Sequence, residues 1–290
     1  MTSLLTVPWT FQLLDTGVVL NNDTGPGGGP WVDIETVRGL DSAPFRETKR
    51  DHEGVDGGFL DAEFEQGRDI TLDGTVYANG SPIEPFLDLL KSNYEPQTSP
   101  VPFYVIDPDV GLRVLFVKPR GVRYDWTTAR RYGTERVQFL AYAEDPRIYD
   151  ANLSSATLLI GATITTGLSF PLSFNFGFGG TSTTLDGQFI TNAGNRPTPA
   201  IVTFNGPLDT PTLINDTLGL TLQFNIVLSA TDQLVVDLGN HTVRLNGTAN
   251  RRGSLVAPNW FLLSKGATFL RFRAAAGTGT MVVTFRSAWR

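Results

Sequence analysis

Arg68-Asp69-Ile70-Thr71-Leu72-Asp73-Gly74-Thr75-Val76-Tyr77 places Ile70, Leu72 and Val76 on one face of an extended chain. That period of two is the signature of a half-buried strand. Just upstream, Phe59 to Glu65 reads as another strand, and Leu40 to Gly58 as a long, exposed polar loop. Further back, Trp31 to Val37 also alternates, with Trp31, Asp33, Glu35 and Val37 on one face and Val32, Ile34 and Thr36 on the other. The preceding segment, Asn21 to Pro30, is almost pure loop. Its Gly27-Gly28-Gly29 has no helix signal behind it, which a phosphate-cradling loop requires. Thr10 to Leu20 reads as extended, with a turn at Asp15-Thr16-Gly17.

Downstream stands one helix. Ser81-Pro82-Ile83-Glu84 has the form of a capping box with proline at the first helical position. Ile83, Phe86, Leu87 and Leu90 follow the spacing of a buried stripe, and the helix is expected to end near Tyr94, before Pro96. Val101 to Ile106, the turn Asp107-Pro108-Asp109-Val110-Gly111 and Leu112 to Val122 then read as a hairpin. Thr134 to Ala143 is a further strand and stops at Asp145-Pro146.

After Asp150 the character changes. Charged residues nearly vanish between Ala151 and Gln188, and Thr, Ser, Gly and Phe take over. A domain boundary here gives units of 1–150 and 151–290. The second is a run of short strands at roughly 8–12-residue intervals, the pattern of a sandwich. Its clearest piece is a meander: Gln233 to Asp237, a turn at Gly239-Asn240, and Thr242 to Leu245 leading to Asn246-Gly247. The last strands are Thr268 to Arg273 and Met281 to Arg286, around Ala276-Gly277-Thr278-Gly279.

Composition narrows the classes of function. The 290 residues are 41% hydrophobic and 18% charged, which supports two ordinary cores. With no cysteine, disulfides, thiolate metal sites and cysteine nucleophiles are excluded. Met1 to Leu14 shows no secretory signal, and no apolar stretch approaches the ~20 residues of a membrane helix. Six Asn-x-Ser/Thr triplets, such as those at Asn79 and Asn246, read as turn chemistry. A net charge of −6 gives no counterion-release gain on a nucleic-acid backbone, so specific nucleic-acid binding is not expected.

The order of features carries a resemblance. A strand–strand opening, a polar loop, Arg68-Asp69-Ile70-Thr71-Leu72-Asp73-Gly74, one helix, a hairpin, and a strand closing on Phe139-Leu140-Ala141-Tyr142-Ala143-Glu144-Asp145-Pro146 resemble the N-terminal domain of phage distal tail proteins. Asn195-Arg196-Pro197-Thr198-Pro199 leading into Ile201-Val202-Thr203-Phe204, then Leu234-Val235-Val236-Asp237, Val243-Arg244-Leu245-Asn246-Gly247 and Trp260-Phe261-Leu262-Leu263, resemble the galectin-like sandwich that follows it in that family. The resemblance implies a mainly β fold: an N-terminal sandwich or barrel-like domain with one short helix, then a galectin-like sandwich. It implies a non-enzymatic subunit of the virion's tail tip, made in the host cytoplasm and needing no cofactor. Such subunits form a ring, commonly of six, between the tail tube and the host-adsorption apparatus. The N-terminal domains build the ring, the C-terminal ones point outward toward receptor-binding proteins, and DNA passes through the channel. An acidic chain suits a lumen that must not grip DNA, since like charges repel over a Debye length of ~10 Å. The expected mode of assembly is pairing of strand edges and of the loop Ala43 to Gly58 with neighbouring copies.

The residues that could carry other chemistry have plainer readings. His52, in Lys49-Arg50-Asp51-His52-Glu53, reads as a solvated loop histidine, and His241 sits at the edge of a hairpin without a nucleophile elbow nearby. Asp61, Glu63 and Glu65 share one strand face and could offer oxygens to Ca²⁺, but such a row is equally the wet face of a sheet. Asp107 and Asp109 are explained by turn chemistry. No carboxylate pair is marked for glycoside hydrolysis. The rival function is a carbohydrate-binding module for host recognition. Galectin-like sugar sites use a His-x-Asn-Pro-Arg strand and a stacking tryptophan near a glutamate. Here His241-Thr242-Val243-Arg244 lacks the Asn-Pro, and no glutamate occurs after Glu144. Trp260 therefore reads as a core or interface residue. No catalytic, cofactor or metal site is assigned.

Overall fold

The structure, a computed structural model, describes residues 9–14, 17–22, 28–47, 49–52, 54–56, 58–60, 64–160 and 187–290. The chain divides into two compact units, Met1–Ala151 together with Trp289–Arg290, and Asn152–Ala288.

Unit 1 is built on strands β1 (Phe11–Leu13), β2 (Val19–Leu20), β3 (Trp31–Arg38), β4 (Phe45–Arg46), β5 (Lys49–Asp51), β6 (Gly58–Leu60), β7 (Phe64–Glu65) and β8 (Arg68–Tyr77), helix α1 (Ile83–Asn93), then β9 (Val101–Asp107), β10 (Gly111–Arg123), β11 (Thr134–Ala143) and β12 (Ile148–Asp150). The main sheet runs β2-β1-β9-β10-β11-β8-β3. Strand β10 is its corner. Gly111 to Val117 pairs with β9, Lys118 to Arg123 pairs with β11, and the register shifts between Pro119 and Gly121. The two half-sheets face each other over one core. Phe11, Phe103 and Leu115 meet Ile70, Leu72 and Phe139, with Leu87 and Leu90 of α1 covering one side. Asn21 joins the far ends of the path: its amide donates to the Val32 carbonyl at 2.8 Å, and its Oδ1 accepts from the Ile34 amide. The sheet therefore curls until β2 lies beside β3, which shields part of two edges that would otherwise be bare.

Three expectations for this unit are corrected. First, the face assignment of β3 holds for Val32 and Ile34, both buried, but fails at Val37. Ile34 pairs with Gly74 and Thr36 with Asp73, so Glu35 is an extra, bulged residue. A bulge inverts the alternation beyond it, which turns Val37 toward the core. Second, the capping box does not form. Pro82 is the N-cap and no side chain caps the helix. Glu84 instead pairs with Arg130 and lies 4.0 Å from Lys91. Third, Leu40 to Gly58 is not an irregular loop. Phe45 pairs with Glu65 and Arg46 with Phe64, and further out Lys49 to Asp51 pairs with Leu60 to Gly58. The segment is one half of a β-arm that runs out along β4 and β5 and back along β6 and β7.

Unit 2 contains β13 (Ser154–Leu159), β14 (Gln188–Asn192), β15 (Ala200–Asn205), β16 (Leu208–Asp209), β17 (Thr212–Asn215), β18 (Leu220–Phe224), β19 (Val227–Leu228), β20 (Gln233–Asp237), β21 (Thr242–Leu245), β22 (Ala249–Asn250), β23 (Leu255–Pro258), β24 (Gly266–Arg273), β25 (Ala276–Gly277) and β26 (Thr280–Phe285). One antiparallel sheet runs β13-β26-β15-β20-β21-β22 and another β14-β24-β17-β18-β23. Their inner faces form a second core. Phe204 of the first sheet lies 5.7 Å from Phe224 and 5.6 Å from Phe272 of the second, so the rings interlock across the sandwich. The expected meander is β20 and β21, and Asn246 holds its end by accepting the Gln233 amide at 2.9 Å. The last two long strands lie in different sheets, with β25 between them pairing to β16.

Candidate interaction surfaces

The arm of unit 1 is anchored at its base. At the base, the Arg290 guanidinium stacks 4.7 Å from the Phe45 ring, and its Nε lies 2.9 Å from Glu65. Phe45 and Glu65 are cross-strand partners, so one cation grips both sides of the ladder. Phe64 is 58% exposed, and Arg46 stacks 5.7 Å over it. Ala43, by contrast, is buried, so the exposed part starts beyond it. Exposed aromatic rings on a two-stranded ribbon suit burial against a partner better than life in water.

Below the arm, Arg68 is 1% exposed. Its Nη1 donates to the carbonyls of Gly39 at 3.2 Å and Asp41 at 2.8 Å, and its Nη2 to that of Pro146. Burial draws the guanidinium below the usual arginine value, opposed by the charges of Glu65, Asp41 and Asp145. One side chain thus fixes the segment after β3, the start of β8 and the approach to β12. The sequence marked Arg68 only as the polar start of a strand.

The outer face of β8 and β11 forms an open depression of 1080 Å³ lined by residues including Glu35, Asp73, Lys91, Arg123, Glu135 and Arg136. Its charges neutralise one another locally. Gln138 donates to Asp73 at 2.7 Å, Arg38 pairs with Asp73 at 3.3 Å, and Thr75 donates to Glu35 at 2.8 Å. Glu135 is buried and accepts from the Thr127 hydroxyl at 3.1 Å. The Asp73 and Glu35 carboxylates are thus engaged by neighbouring side chains.

The residues singled out from the sequence fall as follows. His52 is half-buried beyond β5. His241 is exposed at the turn between β20 and β21, with φ 54°, and its ring stacks 4.7 Å from Trp260 at an interplanar angle of 19°. Trp260 packs against the core of unit 2, and the imidazole covers one of its faces. A sugar would need that face. Asp107 accepts the amides of Asp109 at 2.7 Å and Val110 at 3.2 Å, as turn chemistry requires. Asp61 and Glu63 lie outside the described residues, and Glu65 is held by Arg290. Among the described residues, no three His, Asp or Glu side chains gather as metal ligands, and no helix is long and apolar enough to cross a membrane.

Comparison with known proteins adds to this geometry. Residues 193–289 match the family model of the siphovirus-type tail component, C-terminal domain. No curated protein matches the chain in sequence. Among solved structures, the SPP1 Dit protein, described as a paradigm of the hub adsorption apparatus in phages infecting Gram-positive bacteria, superposes with a TM-score of 0.64 at 16% identity, over 97% of this chain and 99% of its own. A chain of the phage P2 baseplate, in its activated conformation with Ca, superposes with a TM-score of 0.53 at 12% identity, over 96% of this chain and 98% of its own. Residues 193–289 thus match the siphovirus-type tail component, C-terminal domain, on a chain whose fold is similar to that of SPP1 Dit along nearly its whole length.

Proposed function

We propose that the chain is a structural, non-enzymatic subunit of a phage tail tip, a distal hub that connects the tail tube to the host-adsorption apparatus. The observation that carries the reading is the agreement of an end-to-end fold likeness to a hub protein with an independent family match over residues 193–289. Unit 1 is read as the ring-forming part and supplies an anchored arm with exposed aromatic rings. Unit 2 is read as a galectin-like sandwich that docks tail-tip or receptor-binding proteins. The ring is expected to be a hexamer, part of the virion, with DNA passing through it and no specific contact to bases.

Light scattering and negative-stain microscopy of the purified chain test this. Rings with a mass several times 31.6 kDa are expected, either alone or after addition of the tail-tube protein. A chain that stays a monomer under both conditions overturns the reading.

A further inference from the structure

The loop from Tyr124 to Gly133, between β10 and β11, holds two very exposed aromatic side chains, Trp126 at 80% and Tyr132 at 86%. Single exposed apolar residues are ordinary. An indole held in place by buried support calls for another explanation. The Arg130 guanidinium lies 4.3 Å from the Trp126 ring, is itself only 14% exposed, and is ion-paired to Glu84 of α1. The same guanidinium lies 5.8 Å from the Tyr124 ring, over which Lys91 sits at 5.3 Å. The loop backbone is fixed as well. Gly133, at φ 74°, donates to the Arg130 carbonyl at 3.1 Å and accepts from the Ala78 amide at 2.8 Å. One face of the indole therefore rests on a pinned cation while the rest meets water. Interface hot spots are built in this way, from Trp, Tyr and Arg already in their bound conformation, so that little ordering entropy is lost on docking.

We infer that this loop is the docking surface for a second copy of the chain, and that the segment it receives is the β9–β10 turn, Asp107 to Val110. This rests on the ring-subunit reading and names the contact that closes it. The first support is charge. Arg131 is exposed within the loop and Arg123 just before it, and Asp125 is the loop's one carboxylate, whereas the whole chain carries −6. A basic, aromatic patch on an acidic chain is complementary to other parts of that chain. The turn supplies what the patch lacks: Val110, 56% exposed, beside the exposed carboxylate of Asp109, on a backbone preformed by Asp107. The second support is position. The two determinants sit at opposite ends of β10, a strand of 13 residues that spans at most about 40 Å. Every copy carries both ends, so the contact is heterologous, head to tail, and propagates around a ring.

Sedimentation or light scattering across a concentration series tests the contact in the full chain. Trp126→Ser, Arg131→Glu and Asp109→Arg each change an exposed side chain, and circular dichroism checks that the fold is kept. Each is expected to raise the concentration needed for assembly by about tenfold or more. Arg131→Glu combined with Asp109→Arg, which exchanges the charges, is expected to restore assembly. If the wild-type chain assembles and the folded single variants assemble equally well, the docking surface is refuted while the ring-subunit reading stands. If the single variants fail and the exchanged pair fails too, the assignment of the turn is refuted. A wild-type chain that assembles neither alone nor with the tail-tube protein removes the ring-subunit reading itself.

Discussion

Arg68 shows most clearly how much one side chain organises. Its guanidinium reaches carbonyls at residues 39, 41 and 146, which no local pattern links to position 68. Alternation predicted the strand but not the cation on its buried face, because the partners are backbone groups distant in sequence. Arg68→Met is expected to cost about 2–4 kcal/mol, the loss of several charge-assisted hydrogen bonds partly offset by water reaching the half-exposed carbonyls. The urea midpoint followed by near-ultraviolet circular dichroism reads this, and an unchanged midpoint would mean that Arg68 fixes nothing. Asp232 is the corresponding organiser in unit 2. It accepts from the Ser229 hydroxyl at 2.6 Å, the Ser229 amide at 2.9 Å and the Asn246 side chain at 2.9 Å, and these bonds hold its carboxyl below the ordinary value of 3.8. A depressed carboxylate stabilises the fold above its unfolded pKa, and that contribution disappears as pH falls through the folded value. Asp232→Asn should therefore lower the melting temperature at neutral pH, and the difference from wild type should close well below pH 3.8. A difference independent of pH would show that the charge is irrelevant.

Among the elements, those with one covered face were legible. β8, β9, β10, β20 and β21 appear where alternation places them, and α1 buries Leu87 and Leu90 of the expected stripe. What escaped were features set by a partner strand or by distant charges. The bulge at Glu35 exists only in register with β8. The N-cap of α1 was misread because Arg130, from another part of the chain, draws Glu84 away from the capping role. The outgoing half of the arm, β4 and β5, escaped because it is polar and shows no hydrophobic period, whereas Phe59 to Glu65 on the returning side was read as extended. The bulge also explains the glycine at its side. Gly74 faces Ile34, and a Cβ there would lie 2.2 Å from the Asp33 carbonyl oxygen. Gly74→Ala must push β3 away from β8, at a cost of about 1–3 kcal/mol. Hydrogen exchange should show β3 amides losing protection before those of β9. Uniform protection would place the strain elsewhere.

At the scale of the molecule, two separate cores make two separate stabilities. Trp289 belongs to unit 1, where the Arg113 guanidinium lies 3.3 Å from its ring and is also 3.8 Å from Asp150. Trp289→Ala is expected to destabilise unit 1 by about 1–3 kcal/mol and to leave unit 2 unchanged. Exchange protection of β9 and β11 against that of β15 and β20 separates the two outcomes, and equal losses would contradict this division. The change in composition at residue 150 led to an expected boundary there, and nothing in the sequence pointed to Trp289 and Arg290 grouping with unit 1. Nor was the Trp126 patch visible in advance, since the solvent around an indole is decided by tertiary neighbours. The order of weak motifs, by contrast, carried enough to identify the family resemblance.

The return of Trp289 and Arg290 has a consequence for biosynthesis. Residues up to 151 leave the ribosome first, yet the pair that completes their unit emerges only after residues 152–288 have been translated. At elongation rates of about 5–20 residues per second that is a wait of roughly 7–27 s, during which the earlier unit lacks its last two residues.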